Sequence, residues 1–194
     1  MGEAKPKKLK IAWGITGAGD KIAEIIQTMK DLQKQTEENV EFDVYISKAA
    51  DIMLKFYRLD EDLKKSFAKV WVESNSNSPF LAGMVQSHKY EFLLIMPASS
   101  NTVAKIVNSI SDTLLTNAAL MSLKAFVPVW IMPVDFKEAI IYTKLPNGKE
   151  MKLQVRKEEA AQVRRLEAME DVRVFENPSA VREGFLEWLK KVKG

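Results

Sequence analysis

The segment Pro97-Ala98-Ser99-Ser100-Asn101-Thr102-Val103-Ala104-Lys105 separates two different hydrophobic patterns. Before it stands the apolar run Tyr90-Glu91-Phe92-Leu93-Leu94-Ile95-Met96, which is typical of a strand, and after it apolar residues recur at helical spacing. A strand-to-helix corner of this kind leaves backbone N–H groups unpaired at the helix N-terminus and adds hydroxyl and amide side chains. The segment therefore fits either a site for a phosphate or polar heterocycle, or a plain turn with a Ser or Asn helix cap.

The first strand-to-helix corner of the chain carries glycines. The apolar run from Leu9 to Ile15 ends in Thr16-Gly17-Ala18-Gly19-Asp20, and apolar residues from Ile22 onward recur at helical spacing. The glycines allow the backbone to approach a ligand closely, while Thr16 offers a hydroxyl and Asp20 a helix cap. The loop lacks the G-x-G-x-x-G pattern of dinucleotide-binding folds, so the glycines alone are a weak signal.

A third corner follows the alternating run Val40 to Ile46, where Ser47-Lys48-Ala49-Ala50 begins another helix. Ser47 fits a helix cap at this corner, a role that is compatible with further contacts by its hydroxyl. The three polar loops at 16–20, 47–49 and 97–102 all follow strands. In a parallel sheet the carboxyl ends of the strands lie at one edge, so we expect these loops to converge there.

Repeated strand–helix units predict a Rossmann-like α/β three-layer sandwich, with a parallel sheet and helices on both sides. Further strands are expected at 69–72, 126–133 and 172–175, and the Asn147-Gly148 turn between two alternating runs predicts an added β-hairpin. We expect the helix after Asn101 to continue as far as Leu115. The helical spacing of apolar residues in 51–67 predicts core packing for them all: Ile52, Met53, Phe56, Tyr57, Leu59, Leu63 and Phe67.

The composition limits what the chain can be. With 194 residues and 46% hydrophobic content, the chain fits one domain at 1–194, of which residues 1–7 are expected to form a flexible tail. The 29 basic and 26 acidic residues are dispersed, and the one basic cluster, Lys5-Pro6-Lys7-Lys8, fits a solvated tail better than a nucleic-acid arm. Cysteine is absent and histidine occurs once, so we expect no disulfide and no metal site. No membrane span or signal peptide is recognisable, and we expect a cytoplasmic protein.

Residues 97–120, PASSNTVAKIVNSISDTLLTNAAL, resemble the PASANT segment of the flavoprotein family that includes phosphopantothenoylcysteine decarboxylase and the peptidyl-cysteine decarboxylases. The loop at 16–20 resembles that family's first flavin loop, T-G-A-S-G, with Gly19 and Asp20 in place of Ser and Gly. The resemblance implies a fold similar to that of flavin prenyltransferases, and bound FMN. It implies cofactor contacts by Thr16, Gly17, Ala18, Gly19, Ser47, Pro97, Ala98, Ser99, Ser100, Asn101 and Thr102.

Within that set, we assign Ser47 and Ser99 to the phosphate, and Ser100, Asn101 and Thr102 to the flavin ring or ribityl chain. Thr16, Gly17, Ala18 and Gly19 are assigned to close backbone contact. The resemblance also implies a homo-oligomer, a trimer or an assembly of trimers, with flavin at the subunit contacts. We therefore expect the loop 74–78 to reach a neighbouring subunit's flavin.

The chain departs from the cysteine decarboxylases at two points. The loop 73–80 lacks the catalytic histidine of those enzymes, and the one histidine, His88, stands just before the fourth strand, where a surface position is expected. Pro133-Val134-Asp135-Phe136 stands where the decarboxylases begin their carboxylate clamp. Cysteine decarboxylation is therefore the least favoured activity.

The hairpin and the preceding Pro133-Val134-Asp135 resemble the branch that contains archaeal flavoproteins of the archaeoflavoprotein A type and the flavin-dependent dihydromethanopterin reductases. The resemblance covers residues 8–20 and 88–155. It implies two functions, of which we place first electron transfer from a ferredoxin to an unknown acceptor. The second is FMN-dependent reduction of a pterin such as dihydromethanopterin. Apart from the flavin no catalytic residue is expected, and Asp135 is a candidate substrate contact.

Overall fold

A computed structural model of the protein describes residues 8–145 and 147–194. The predicted tail at 1–7 and Pro146 of the hairpin turn lie outside the described residues. The elements, numbered in chain order, are β1 (Leu9–Ile15), α1 (Ile22–Thr36), β2 (Val40–Ile46), α2 (Lys48–Phe56), α3 (Asp60–Ser66), β3 (Lys69–Val72), α4 (Leu81–Gln86), β4 (Leu93–Ala98), α5 (Ser100–Val107), α6 (Leu114–Lys124), β5 (Val129–Pro133), β6 (Ala139–Lys144), β7 (Glu150–Val155), α7 (Lys157–Glu167), β8 (Val172–Val174) and α8 (Pro178–Lys193).

Six of the strands form one parallel sheet in the order β3-β2-β1-β4-β5-β8. β6 and β7 form a separate antiparallel hairpin. The Rossmann-like fold and the added hairpin predicted from the sequence are thus confirmed. The strand order reverses between β1 and β4, and in such sheets a ligand binds beyond the carboxyl ends of the strands at that point. The loops after β1 and β4 therefore lie side by side.

Two hydrophobic clusters sandwich the sheet. On one face pack the buried side chains of α1, α2, α3 and α8, among them Ile25, Leu54 and Phe185. On the other face pack α4, α5, α6 and α7, with buried residues such as Leu115 and Val163. Because both faces are covered, β1, β4 and β5 are almost continuously apolar and buried, as expected for a parallel sheet.

A buried polar chain fixes β2, the strand that supplies Ser47. The Tyr90 hydroxyl donates to the Asp43 carboxylate at 2.8 Å and lies 2.6 Å from the Tyr45 hydroxyl, and Lys69 approaches the same carboxylate at 3.4 Å. Burial raises the pKa of Tyr45 to about 12. The tyrosines therefore remain neutral hydrogen-bonding groups. This network of hydrogen-bonded side chains joins β2, β3 and the segment before β4.

The structure corrects one helix prediction and divides a second segment of helical spacing. The helix predicted to run to Leu115 ends at Val107, because Ser109 adopts a left-handed backbone (φ 57°), and α6 begins afresh at Leu114 with Thr113 as its cap. The helical spacing in 51–67 is shared by two helices, since Arg58 (φ 57°) separates α2 from α3. In both places a local backbone reversal ends the helix although apolar residues continue at helical spacing.

Core packing was also predicted too broadly. Leu63 and Phe67 are buried, whereas Ile52 and Phe56 are 70% and 58% exposed. The predicted cap Asp20 is also wrong: the N-cap of α1 is Lys21, in a left-handed conformation and without a side-chain cap.

None of the helices in the described residues is long and apolar enough to cross a membrane.

Candidate functional site

The loops after β1 and β4 are joined by the Thr16 hydroxyl. This buried hydroxyl donates to the Pro97 carbonyl at 2.8 Å and accepts from the Ser99 N–H at 2.9 Å. The Thr16 N–H also donates to the Pro97 carbonyl, at 3.2 Å. Since the hydrogen and one lone pair of the Thr16 hydroxyl bind the loop after β4, Thr16 sets the spacing of the two loops.

Pro97 and Ala98 occupy a different place from the rest of the central motif. Both belong to the buried end of β4, which extends two residues beyond the run predicted from the sequence. They line neither of the cavities at this sheet edge. Their contribution is the backbone, because the Pro97 carbonyl anchors Thr16.

Ser47 and Ser99 cap the helices that follow them. The Ser47 Oγ accepts from the Ala50 N–H at 3.1 Å at the start of α2. The Ser99 Oγ accepts from the Thr102 N–H at 3.4 Å and lies 3.1 Å from the Thr102 hydroxyl at the start of α5. Capping occupies acceptor capacity only, so the Ser47 hydroxyl hydrogen remains available to a ligand.

The loops and helix starts also present unpaired backbone donors. Within residues 8–145 and 147–194, several N–H groups at this sheet edge have no protein acceptor: those of Gly17, Ala18, Gly19, Asp20, Ala49, Ser100 and Asn101. The dipoles of α2 and α5 favour a negatively charged partner for the donors at the starts of these helices. This donor set fits a phosphate and the carbonyl groups of a heterocyclic ring.

Glycine at position 17 is required by the close approach of α2. A Cβ added there would lie 2.7 Å from the Ala49 Cβ and 3.2 Å from the Ala49 carbonyl carbon. At Gly19 a Cβ would lie 3.0 Å from the Tyr57 ring. The loop after β1 is thus packed directly against the start of α2, as a site of close backbone contact requires.

Glu73, which the sequence analysis did not single out, holds two helix N-termini together. Its carboxylate follows β3, is buried, and accepts from the Lys48 N–H of α2 at 3.0 Å and the Leu114 N–H of α6 at 2.8 Å. An anion at a helix N-terminus is stabilising, and here one anion serves two helices. Its position directly after a strand, as for Thr16 and Ser47, is the signal that could have identified it.

Two adjoining cavities lie at this edge. The first, of about 440 Å³, is lined by Thr16, Gly17, Ser47, Lys48, Ala49, Glu73, Asn75, Ser76, Ser99, Asn101, Thr102, Asp112, Thr113 and Leu115. The second, of about 330 Å³, is lined by Ala18, Gly19, Asp20, Ser99, Ser100, Asn101, Val134, Asp135, Ile141 and Leu153. Ser99 and Asn101 line both, and each volume is within the usual range for small-molecule sites.

The two cavities differ in character. The first has the start of α2, hydroxyl groups and the Lys48 side chain, which suit an anionic group. The second is bounded on one side by the apolar side chains of Ile141 and Leu153 on the hairpin, which suit a planar ring. Asn101, whose exposed amide has no partner within the described chain, stands between them. A ligand with a phosphate at one end and a ring at the other matches this arrangement.

Asp135 lies in the wall of the second cavity. It is half-buried, and its Oδ2 accepts a hydrogen bond from the Ser100 hydroxyl. Its Oδ1 has no partner in the part of the chain that the structure describes, and no lysine or arginine pairs with the carboxylate there.

The loop 74–78 is fixed to α6. The Asn117 amide donates to the Ser76 carbonyl and to the Asn77 side chain, each at 2.9 Å. Asn75 and Ser76 line the first cavity of their own chain. His88 is exposed and lines neither cavity, so the expectation of a surface histidine is confirmed.

The Flavoprotein family model matches residues 2–182. The chain belongs to this family. It is 42% identical over 185 residues to an uncharacterized protein of Methanocaldococcus jannaschii, covering 95% of this chain and 98% of that protein. It is 30% identical to the dihydromethanopterin reductase (acceptor) of the same organism, covering 91% and 96%.

A solved structure similar over nearly the whole length is that of Burkholderia xenovorans DmrB in complex with FMN, described as a cubic protein cage for redox transfer. It has a TM-score of 0.81 and 30% identity, covering 98% of this chain and all of that one. The family resemblance found at residues 97–120 and the FMN cofactor it implied are confirmed by these findings.

Proposed function

We propose that the protein is an FMN-dependent oxidoreductase that reduces a pterin. The observation that carries the proposal is the pair of adjoining cavities: one suits a phosphate, and the other has a ring-sized space whose wall contains a carboxylate with one oxygen, Asp135 Oδ1, that no described residue binds. Similarity to a dihydromethanopterin reductase over most of both chains supports the pterin.

The phosphate end of FMN would be held in the first cavity. Ser47 supplies a hydroxyl donor, and the free N–H groups of Gly17 and Ala49 supply backbone donors. Lys48, at the first position of α2, is the cation among the residues that line this cavity. Together they offer hydrogen-bond donors and one positive charge to a phosphate, as helix N-termini do in other phosphate sites, while the carboxylates of Glu73 and Asp112 line other parts of the cavity wall.

The flavin ring would lie in the second cavity. There the backbone of Ala18 and Gly19 and the Asn101 amide are free to bond its polar edge. We now assign Thr102 to a supporting position, because its hydroxyl lies within hydrogen-bonding distance of Ser99. Bound FMN supplies the hydride-transfer chemistry, while the protein orients the ring and limits its access to water.

Electron transfer from a ferredoxin is a second candidate function. The observation that favours it is the similarity to DmrB, which is described as a cage for redox transfer. In this case the second cavity would admit only the flavin, and the electrons would leave across the surface.

One experiment separates the two functions. Under anaerobic conditions the oxidised FMN-loaded protein is mixed with reduced ferredoxin, and the stoichiometrically reduced protein is mixed, separately, with a dihydropterin; both reactions are followed through the visible absorbance band of oxidised flavin. We expect rapid reoxidation by the dihydropterin, with tetrahydropterin formed in equal amount. Reduction of the FMN by ferredoxin without reoxidation by the dihydropterin would support electron transfer instead, and a chain that does not retain FMN would contradict both functions.

We further propose that the protein is a homo-oligomer, built from trimers. The hairpin supports this, since apolar side chains are exposed on both of its faces: Ile140, Tyr142, Met151 and Leu153. An isolated two-stranded hairpin is only marginally stable, and exposed apolar patches mark interfaces. Light scattering should give at least three times the 22.0 kDa chain mass, and replacing Ile140 and Met151 by Ser should lower it. A wild-type mass of a single chain would contradict the proposal.

A further inference from the structure

The Asp135 carboxylate is a half-buried charge that the protein itself leaves partly unsatisfied. A carboxylate offers about four acceptor positions, and among the described residues only the Ser100 hydroxyl bonds to this one. A charge taken out of water is costly unless hydrogen-bonded donors compensate it. Because this carboxylate lies in the wall of a ligand cavity, it can accept hydrogen bonds from N–H or O–H groups of a bound ligand.

The Ser100 hydroxyl fixes the direction in which Asp135 faces. Ser100 stands in the first turn of α5, beside Asn101, so the hydrogen bond ties the segment after β5 to the flavin-binding helix. The Oδ2 atom is held by this bond, which leaves Oδ1 and the second lone pair of Oδ2 for the cavity. Ile141 and Leu153 form apolar walls of the same cavity. A flat ring that lies against them can present its edge to the carboxylate.

The edge that fits a carboxylate has two adjacent N–H donors. The pyrimidine edge of a pterin has this pattern, because its 2-amino group stands next to the ring N3–H. The pyrimidine edge of a flavin does not: its single N–H is flanked by two carbonyl oxygens, which a carboxylate repels. The chemistry therefore matches Asp135 to the acceptor better than to the FMN ring.

We infer that Asp135, positioned by Ser100, selects acceptors with a 2-amino-4-oxopyrimidine edge. The inference rests on the proposed function, because it takes the second cavity as the place where flavin and acceptor meet. It assigns Asp135 to substrate specificity rather than to cofactor binding. Since two parallel hydrogen bonds can form to the charged group, a ligand edge with two adjacent N–H donors should bind more tightly than an edge with one donor.

The test compares pterin with lumazine, in which an oxo group replaces the 2-amino group. Binding of each oxidised pteridine to the FMN-loaded protein is titrated through tryptophan emission, which requires no turnover. We expect the wild type to prefer pterin by about 10–150-fold, since each hydrogen bond to a charge contributes about 1.5–3 kcal/mol and about 1.4 kcal/mol is tenfold. Asp135→Asn should abolish that preference and leave the FMN dissociation constant unchanged. Ser100→Ala should reduce it by a smaller factor.

Glu138→Gln is the matched control, because it removes one exposed carboxylate from the same connecting segment and lines neither cavity. It should keep the wild-type preference. An undiminished preference in Asp135→Asn would overturn the inference, as would an equal loss of FMN affinity, which would place Asp135 on the flavin. A protein that binds neither pteridine overturns it too. If pterin binds through Asp135 and is not reduced, the inference stands and the proposed reaction fails.

Discussion

Gly17→Val should yield a folded protein that binds FMN more weakly than the wild type. The first atom of the new side chain would meet the Ala49 Cβ at 2.7 Å and the Ala49 carbonyl carbon at 3.2 Å. α2 cannot easily move away from the loop after β1, because Ser47 caps the helix and Glu73 binds its first N–H group. The loop after β1 must therefore shift, and with it the free N–H groups of Gly17, Ala18 and Gly19. We expect FMN affinity to fall about 10–100-fold, since overpacking strain of this kind costs about 1–3 kcal/mol.

The measurement is a titration of FMN into the apoprotein, followed by quenching of flavin fluorescence. Gly148→Asn is the control: a Cβ at Gly148 meets nothing within 4 Å, and asparagine tolerates its positive φ of 81°. Circular dichroism should show that both variants are folded. If Gly17→Val binds FMN as tightly as the control does, the loop after β1 is not part of the flavin site.

The strand-to-helix turns at Thr16, Ser47 and Ser99 could be predicted because each is determined by the residues next to it in the sequence. Thr16, Ser47 and Ser99 follow apolar runs directly, and a short hydroxyl residue between a strand and a helix has few other roles. Convergence of their loops follows from the parallel order of the strands alone. The family resemblance added the identity of the ligand, which spacing alone left open between a phosphate, a heterocycle and a plain cap.

The features that could not be predicted from the sequence depend mostly on contacts between residues that are distant in the chain. Glu73 is tied to Leu114, 41 residues away, and nothing near either residue indicates the contact. The break before α6 depends on one left-handed residue, Ser109, where the apolar spacing continues. Ile52 and Phe56 keep helical spacing but are exposed, because periodicity shows which face is apolar and not what covers it. The sequence offered Asp135 as a candidate substrate contact, whereas its hydrogen bond with Ser100 appeared only in the structure.

Replacement of the buried Glu73 carboxylate should have the largest effect on stability. In Glu73→Ala the N–H groups of Lys48 and Leu114 lose their acceptor, and two helix N-termini lose a favourable anion. Hydrogen bonds to charged groups contribute about 1.5–3 kcal/mol each, so we expect the free energy of unfolding to fall by about 3 kcal/mol. For a chain of this size that lowers the melting temperature by about 6–12 °C. Glu73→Gln keeps one acceptor oxygen and should lie between.

Glu24→Ala is the matched control, because Glu24 stands in the first turn of α1 and is exposed there. It should cost less than about 1 kcal/mol. Thermal unfolding of the apoproteins gives the comparison, and added formate gives the sharper test. If the N-termini of α2 and α6 still face the position that the Glu73 carboxylate occupied, formate should bind there. It should then raise the melting temperature of Glu73→Ala more than that of the wild type. Equal stability of Glu73→Ala and Glu24→Ala would show that the carboxylate does not hold α2 and α6 together.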